Sequence, residues 1–181
     1  MPIEHEAKIL DIDPDTIDRH ILDKGGQKLG ERFMRRYVYD ITPGVDGKWI
    51  RLRDNGKRTT GKRTTLAVKE ITSDAIDGTH EVEVSVDDFA ATNSLLEMMG
   101  FSAKSYQENK RTSYTLDGAE LELDTWPQIP PYLEIEAATK ADVIRVAELL
   151  GYTEADLSGE NTIKIYARHG IDLNTIRELR F

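Results

Sequence analysis

Residues 80–86 read HEVEVSV, and the alternation of polar and apolar side chains is strict. In an extended chain successive side chains point to opposite faces. Glu81, Glu83 and Ser85 therefore share one face, and Val82, Val84 and Val86 share the other. The stretch is a strand with one apolar and one charged face. A lone strand of this kind has an ordinary explanation, a sheet with one side in water. The same parity, however, returns along the chain. Glu4, Glu6 and Lys8 oppose Ile3, Ala7 and Ile9, and Arg51 and Arg53 oppose Ile50 and Leu52. Lys69 lies with Thr65 and Ala67, against Leu66 and Val68. Glu120, Glu122 and Asp124 oppose Leu121 and Leu123, and Glu134 and Glu136 oppose Leu133 and Ile135. Arg111 shares a face with Gln107 and Asn109.

Worked outward from these stretches, the pattern gives strands over 3–9, 35–41, 48–53, 64–71, 80–86, 104–116, 119–125 and 132–137. Helical spacing of apolar residues appears over 15–24, 87–99 and 140–150, with a further short helix over 160–169. Asp117-Gly118 is a two-residue hairpin signal. Three times a Glu-x-Glu strand leads into a helix that stops at glycine: Glu4/Glu6 to Gly25, Glu81/Glu83 to Gly100, and Glu134/Glu136 to Gly151. That repetition predicts a pseudo-symmetric arrangement. Eight strands tend to close or to be covered. If helices pack on the Val/Leu/Ile faces, the charged faces must point inward. The expected fold is α+β, a single domain over 1–181, with an eight-stranded antiparallel β-barrel and helices packed on the outside.

The 181 residues include no cysteine, which excludes disulfide scaffolds, Cys-ligated zinc, iron–sulfur clusters and thiol nucleophiles. No apolar run approaches the roughly 20 residues of a membrane span. The start, MPIEHEAKIL, lacks the basic and apolar regions of a secretory signal, so a cytoplasmic location is the expectation. The formal charge of −9 hides a partition, since residues 32–69 hold eleven Lys and Arg against three Asp. An acidic exterior disfavours long polyanions, while a basic interior can admit a short one.

Charged strand faces turned inward must be paired or occupied, because isolated buried charges are costly. Clustered Glu and Asp without His or Cys are hard oxygen ligands, suited to Mg²⁺ or Mn²⁺. Clustered Arg and Lys suit phosphate oxygens. The two together are what phosphoryl transfer needs. A duplicated pentapeptide, GKRTT-GKRTT over 56–65, reads either as a slipped loop or as a basic flap at a site mouth. It imitates a P-loop, but Arg63 replaces the Ser or Thr that would hold magnesium, and a strand follows instead of a helix. The four histidines, His5, His20, His80 and His169, are scattered and form no catalytic or metal-ligand pattern.

The opening Glu4-His5-Glu6-Ala7-Lys8 resembles the E-x-E-x-K motif of the CYTH, or triphosphate tunnel metalloenzyme, superfamily. Class IV adenylate cyclases, thiamine triphosphatases, inorganic triphosphatases and fungal-type RNA triphosphatases belong to that superfamily. The similarity continues in order through RYVYD (36–40), WIRLR (49–53), LAVKE (66–70), HEVEV (80–84), KRTSY (110–114), LELD (121–124), YLEIE (132–136) and TIKIY (162–166). The resemblance implies the same tunnel barrel that strand parity suggests.

It also implies roles. Glu4, Glu6, Asp124, Glu134 and Glu136 would hold Mg²⁺ or Mn²⁺. Lys8, Arg51, Arg53, Lys69 and Arg111 would bind the triphosphate, with Lys8, Arg53 and Lys69 also acting in catalysis. Lys164 would bind and assist near the tunnel end, while Glu81, Glu83 and Glu122 line the tunnel. One departure stands out: many members carry Lys two residues before the Arg of the sixth strand, where this chain has Asn109. Either a phosphate contact is missing or a bulge turns Lys110 inward.

The implied activity is hydrolysis of tripolyphosphate, thiamine triphosphate, ATP or another triphosphate. Two alternatives are conversion of ATP to cyclic AMP and pyrophosphate, and non-catalytic sensing of polyphosphate or nucleotide. The expected partner is a small triphosphate, with neither a membrane nor a nucleic acid apart from an RNA 5′-triphosphate end. The expected assembly is a monomer or homodimer.

Overall fold

The computed structural model describes residues 3–56 and 63–181. The long strands are β1 (Ile3–Ile9), β2 (Gln27–Asp40), β3 (Lys48–Asp54), β4 (Thr64–Ile71), β5 (Thr79–Val86), β6 (Ala103–Leu116), β7 (Ala119–Thr125) and β8 (Tyr132–Ala137). A two-residue strand, β9 (Glu178–Leu179), runs parallel to β6. The helices are α1 (Pro14–Asp23), α2 (Phe89–Met98), α3 (Lys140–Leu149) and α4 (Thr162–Arg168). The sheet order is β2-β3-β4-β5-β1-β8-β7-β6-β9, and β2 pairs with β6 to close it. The eight long strands thus form the expected antiparallel barrel. Most of the duplicated pentapeptide, residues 57–62, lies outside the described residues.

Each helix begins at a side-chain cap. Asp13, Asp88, Thr139 and Asn161 accept hydrogen bonds from the backbone N–H of Thr16, Ala91, Asp142 and Lys164 respectively. The three predicted stop glycines end α1, α2 and α3 alike. Gly25, Gly100 and Gly151 have φ of 87°, 93° and 88°. In each case the next residue donates back across the last turn: Gly26 to Ile21, Phe101 to Leu96, and Tyr152 to Ala147. This is the Schellman closure, which glycine permits without Cβ strain.

Most of the core lies outside the barrel wall. Val143, Val146, Ala147 and Leu150 of the α3 region join Ile17 and Ile21 of α1 over Ala7, Ile9, Leu121, Leu133 and Ile135. Leu96 of α2 covers Tyr39, Ile50 and Leu52. Ile165 and Tyr166 of α4 pack with Trp126, Ile129 and Tyr132 at one end. Each large apolar side chain so buried contributes about 1.5–3 kcal/mol. The covering is incomplete on β5, where Val82 and Val84 stay 46% and 52% exposed.

Two differences from the sequence reading concern β2 and β6. β2 begins at Gln27, eight residues before the predicted start, and its first half pairs with β6. Residues 27–31 of that arm are exposed, so burial imposes no alternation there. In β6 the pairing with β2 is continuous from Gly30–Ser113 to Val38–Ser105. No bulge turns Lys110 inward; its ammonium sits 4.6 Å from the Phe181 ring centre on the outside. Asn109 holds the inward position and is fully buried.

Candidate functional site

The barrel encloses a cavity of about 590 Å³, a volume suited to a small ligand. Period-two alternation delivers the charged groups to it. Glu4, Glu6, Lys8, Arg51, Arg53, Lys69, Glu81, Glu83, Arg111, Glu122, Asp124, Glu134 and Glu136 all line this one cavity. Lys164 reaches its rim from α4, but its side chain is half exposed and its ammonium pairs with Asp74.

Bases and acids alternate around the cavity and pair across neighbouring strands. Arg51 Nη2 donates to Glu81 Oε1 at 2.7 Å and to Glu83 Oε2 at 3.2 Å, and Arg53 Nη2 donates to the same Glu83 oxygen at 3.2 Å. Lys69 Nζ lies 2.7 Å from Glu81 and 3.0 Å from Glu4. Lys8 Nζ lies 3.3 Å from Glu6 and 3.2 Å from Glu134. Arg111 grips Asp124 through Nε at 2.8 Å and Nη2 at 2.5 Å. Asn109 Nδ2 donates to the same carboxylate at 2.9 Å. The carboxylates include a row in register across three strands, Glu6 on β1, Glu136 on β8 and Glu120 on β7.

Burial opposes ionisation of Glu4, Glu81, Glu134 and Glu136, and the outcome depends on the neighbours of each. Burial opposes ionisation of Glu81, yet Arg51 and Lys69 hold its carboxyl down to about 2. Lys8 and Arg111 likewise overcome burial and hold Glu134 well below the usual range. Glu4 goes the other way: burial, reinforced by Glu81 and Glu6 and opposed by Lys69, pushes it up to about 8. Burial, then Glu134 and Glu6, pushes Glu136 up to about 7.

This imbalance bears on whether a divalent cation fits. Among the described residues no three acidic side chains converge in metal-binding geometry, because lysines and arginines hold them apart. The chemistry of the donors nevertheless fits a hard cation. Like charges directly opposite on neighbouring strands repel, and a divalent cation would relieve that repulsion in the Glu6–Glu136 pair. Asp124 fits less well, since it is fully buried and already bound by Arg111 and Asn109.

The structure adds residues that the sequence reading left out. Arg32, Arg36, Trp126 and Tyr132 also line the cavity, alongside Glu120 on the charged face of β7. Arg36 was legible in principle. In RYVYD, Tyr37 stacks on Phe89 at 5.2 Å and Tyr39 donates to Asn93 at 2.6 Å, both under α2. The tyrosines thus mark the outer face, and parity sends Arg36, Val38 and Asp40 inward.

No family model and no curated protein sequence matches the chain. Solved structures do. A Pyrococcus horikoshii protein aligns with a TM-score of 0.75 at 24% identity, covering 90% of this chain and 99% of its own. A candidate adenylate cyclase from Vibrio parahaemolyticus aligns at 0.72 and 18% identity, covering 91% and 98%. A candidate adenylyl cyclase from Hippeastrum, described as revealing a dominant triphosphatase activity, aligns at 0.65 and 17%, covering 96% and 100%. At these identities the likeness establishes a common fold, the tunnel barrel implied by the sequence motifs.

Proposed function

We propose that this chain is a member of the CYTH, or triphosphate tunnel, superfamily and that it hydrolyses inorganic or organic triphosphates inside its barrel with the help of Mg²⁺ or Mn²⁺. The observation that carries this reading is the joint occupation of one cavity by Lys8, Arg51, Arg53, Lys69 and Arg111 and by a carboxylate row. Cations in a low-dielectric cavity bind phosphoryl oxygens strongly. Glu4, Glu6 and Glu136, with Glu134 beside them, are the residues that would hold the cation. Once bound, the cation supplies charge neutralisation on phosphate oxygens and a lowered pKa for water.

The chain's own residues do the remainder. Arg51, Arg53 and Arg111 hold the phosphate chain and meet the charge that grows on its oxygens in the transition state. Lys8 and Lys69, each paired with cavity carboxylates, bridge acid to substrate. A carboxylate of the acidic row takes the proton of the attacking water. The water oxygen bonds to the terminal phosphorus, the bridging P–O bond breaks, and the diphosphate end leaves with those electrons.

A cyclase reading uses the same groups with the ribose 3′-oxygen as nucleophile and the α-phosphorus as target. The fold is shared with candidate cyclases as well as with the Hippeastrum protein, whose described dominant activity favours hydrolysis. The test is a product panel. The protein is incubated with Mg²⁺ or Mn²⁺ and tripolyphosphate, thiamine triphosphate or ATP. Orthophosphate, pyrophosphate and cyclic AMP are then resolved. Orthophosphate release is the expected product. Cyclic AMP with pyrophosphate from ATP would replace hydrolysis by cyclisation, and binding without turnover would leave a sensor.

A further inference from the structure

Arg36 has no carboxylate in direct contact, and Asp124 opposes its charge only from a distance. It sits on β2 directly across from Arg53 of β3 and from Gln107 of β6. It lines the tunnel and is 8% exposed. Lys8, Arg51, Lys69 and Arg111 each meet at least one carboxylate. Among the described residues, no carboxylate pairs with Arg36. Its hydrogen bond runs from Nη2 to the amide oxygen of Asn109, at 2.6 Å. Its Nε is buried without a partner. Burial, then the charges of Arg51 and Arg111, pushes the guanidinium down to about 10.

Arg53 shares the predicament. It reaches one oxygen of Glu83, which it divides with Arg51, and its Nε is also buried and unpartnered. Two buried guanidinium groups in register on neighbouring strands repel. Such a pair calls for an anion with several acceptor oxygens, since each guanidinium is a planar fork of donors.

The surroundings hold Arg36 ready. Asn109 donates through Nδ2 to Asp124, so its Oδ1 is turned to accept from Arg36. The Trp126 ring lies under the guanidinium, 4.6 Å from centroid to carbon. One edge bonded and one face stacked fix the plane, while the buried Nε has no hydrogen-bond partner. Asn109 and Trp126 are therefore positioning residues.

We propose that Arg36 and Arg53 together form the seat of the terminal phosphoryl group of the triphosphate, with Asn109 and Trp126 orienting Arg36. This rests on the triphosphate reading of the tunnel. The terminal group is the most highly charged part of the chain and offers three non-bridging oxygens, which suits two guanidinium forks. It also explains how the barrel operates with Asn109 in an inward position where a cation would be expected: the cation comes from β2 instead.

The test is calorimetric titration of tripolyphosphate at fixed ionic strength without divalent cation, with thermal melts alongside. Arg36→Met should weaken binding on the order of 10- to 100-fold, the loss of one charge-assisted bond. Arg36→Lys should fall between, keeping charge without the fork. Arg35→Met removes an equal charge from the outer face, where Arg35 pairs with Asp54, and should bind as the wild type does. The melting temperature of unliganded Arg36→Met should equal or exceed the wild-type value, because a buried charge without a carboxylate in direct contact has gone. A structural role would instead lower it and leave ligand affinity intact. Binding by Arg36→Met as tight as by Arg35→Met would overturn the seat while leaving the tunnel reading standing. Should Arg36→Met fail to fold, wild-type affinity in Arg36→Lys overturns the fork geometry. Absence of binding by the wild-type protein itself would overturn both.

Discussion

Lys69 is the hinge of the tunnel's charge balance, and Lys69→Met tests that balance. Its ammonium lies 2.7 Å from Glu81, 3.0 Å from Glu4 and 3.9 Å from Glu6. The side chains involved are 6–20% exposed, so water screens them little. Removing the cation takes away the ion pair of Glu4 and leaves Glu81 and Glu6 with Arg51 and Lys8 as their cationic partners. Breaking a buried ion pair from one side costs about 3–5 kcal/mol. For a domain of this size each kcal/mol lowers the melting temperature by about 2–4 °C, so a fall of about 6–20 °C is expected. The deficit has a pH signature. Glu4 already titrates at about 8 with Lys69 opposing the rise. Without Lys69 its neutral form is favoured further. A carboxyl raised in the fold stabilises the protein at low pH and loses that contribution as pH climbs through the folded value. The gap between variant and wild type should therefore widen as pH climbs through and above about 8, where Glu4 has ionised in the wild type but still resists ionisation in the variant. Mg²⁺ should narrow it, since freed carboxylates attract the cation. Thermal melts across pH, with and without Mg²⁺, read all three effects. A melting temperature within about 2 °C of wild type at pH 8 would refute the claim that Lys69 holds these carboxylates together.

Other consequences are equally open to measurement. Glu6→Gln should lower kcat of metal-dependent turnover by on the order of 10²-fold with the fold intact, and a fully active variant would remove Glu6 from the metal site. Cation binding should release protons near neutral pH, because Glu4 and Glu136 sit at about 8 and 7 and must ionise to ligate. Titrations in two buffers of different ionisation enthalpy would show this as a buffer-dependent heat, and equal heats would contradict it. Gly151→Ala meets no atom within 4 Å, so its effect comes from the φ of +88° alone. It should cost about 1 kcal/mol, seen in the melt, with KM unchanged.

Much of this architecture was legible because period-two alternation and burial reinforce each other. The Glu81/Glu83 strand and its counterparts turned their charged faces to the lumen, and the structure places those charges in one cavity. The glycine stops were legible for a local reason, the left-handed residue that closes a helix. What escaped was information that sequence spacing does not carry. The first half of β2 is exposed and breaks register between Lys28 and Gly30, so nothing forced alternation. The bare outer face of β5 depends on where α2 and α3 settle, which no residue of β5 encodes. Arg36 escaped because its role depends on what is missing around it. That Asn109 and not a carboxylate faces it is visible only when β2 and β6 are paired.

The most direct measurement is a crystal structure of the protein with tripolyphosphate and Mn²⁺, located by its anomalous signal. The phosphate chain should lie inside the barrel against Arg51, Arg53 and Arg111, with Arg36 on its terminal group and manganese at Glu4, Glu6 and Glu136. Tripolyphosphate bound on the outer surface, with the lumen ion pairs of Lys69 and Arg111 unchanged, would refute the account.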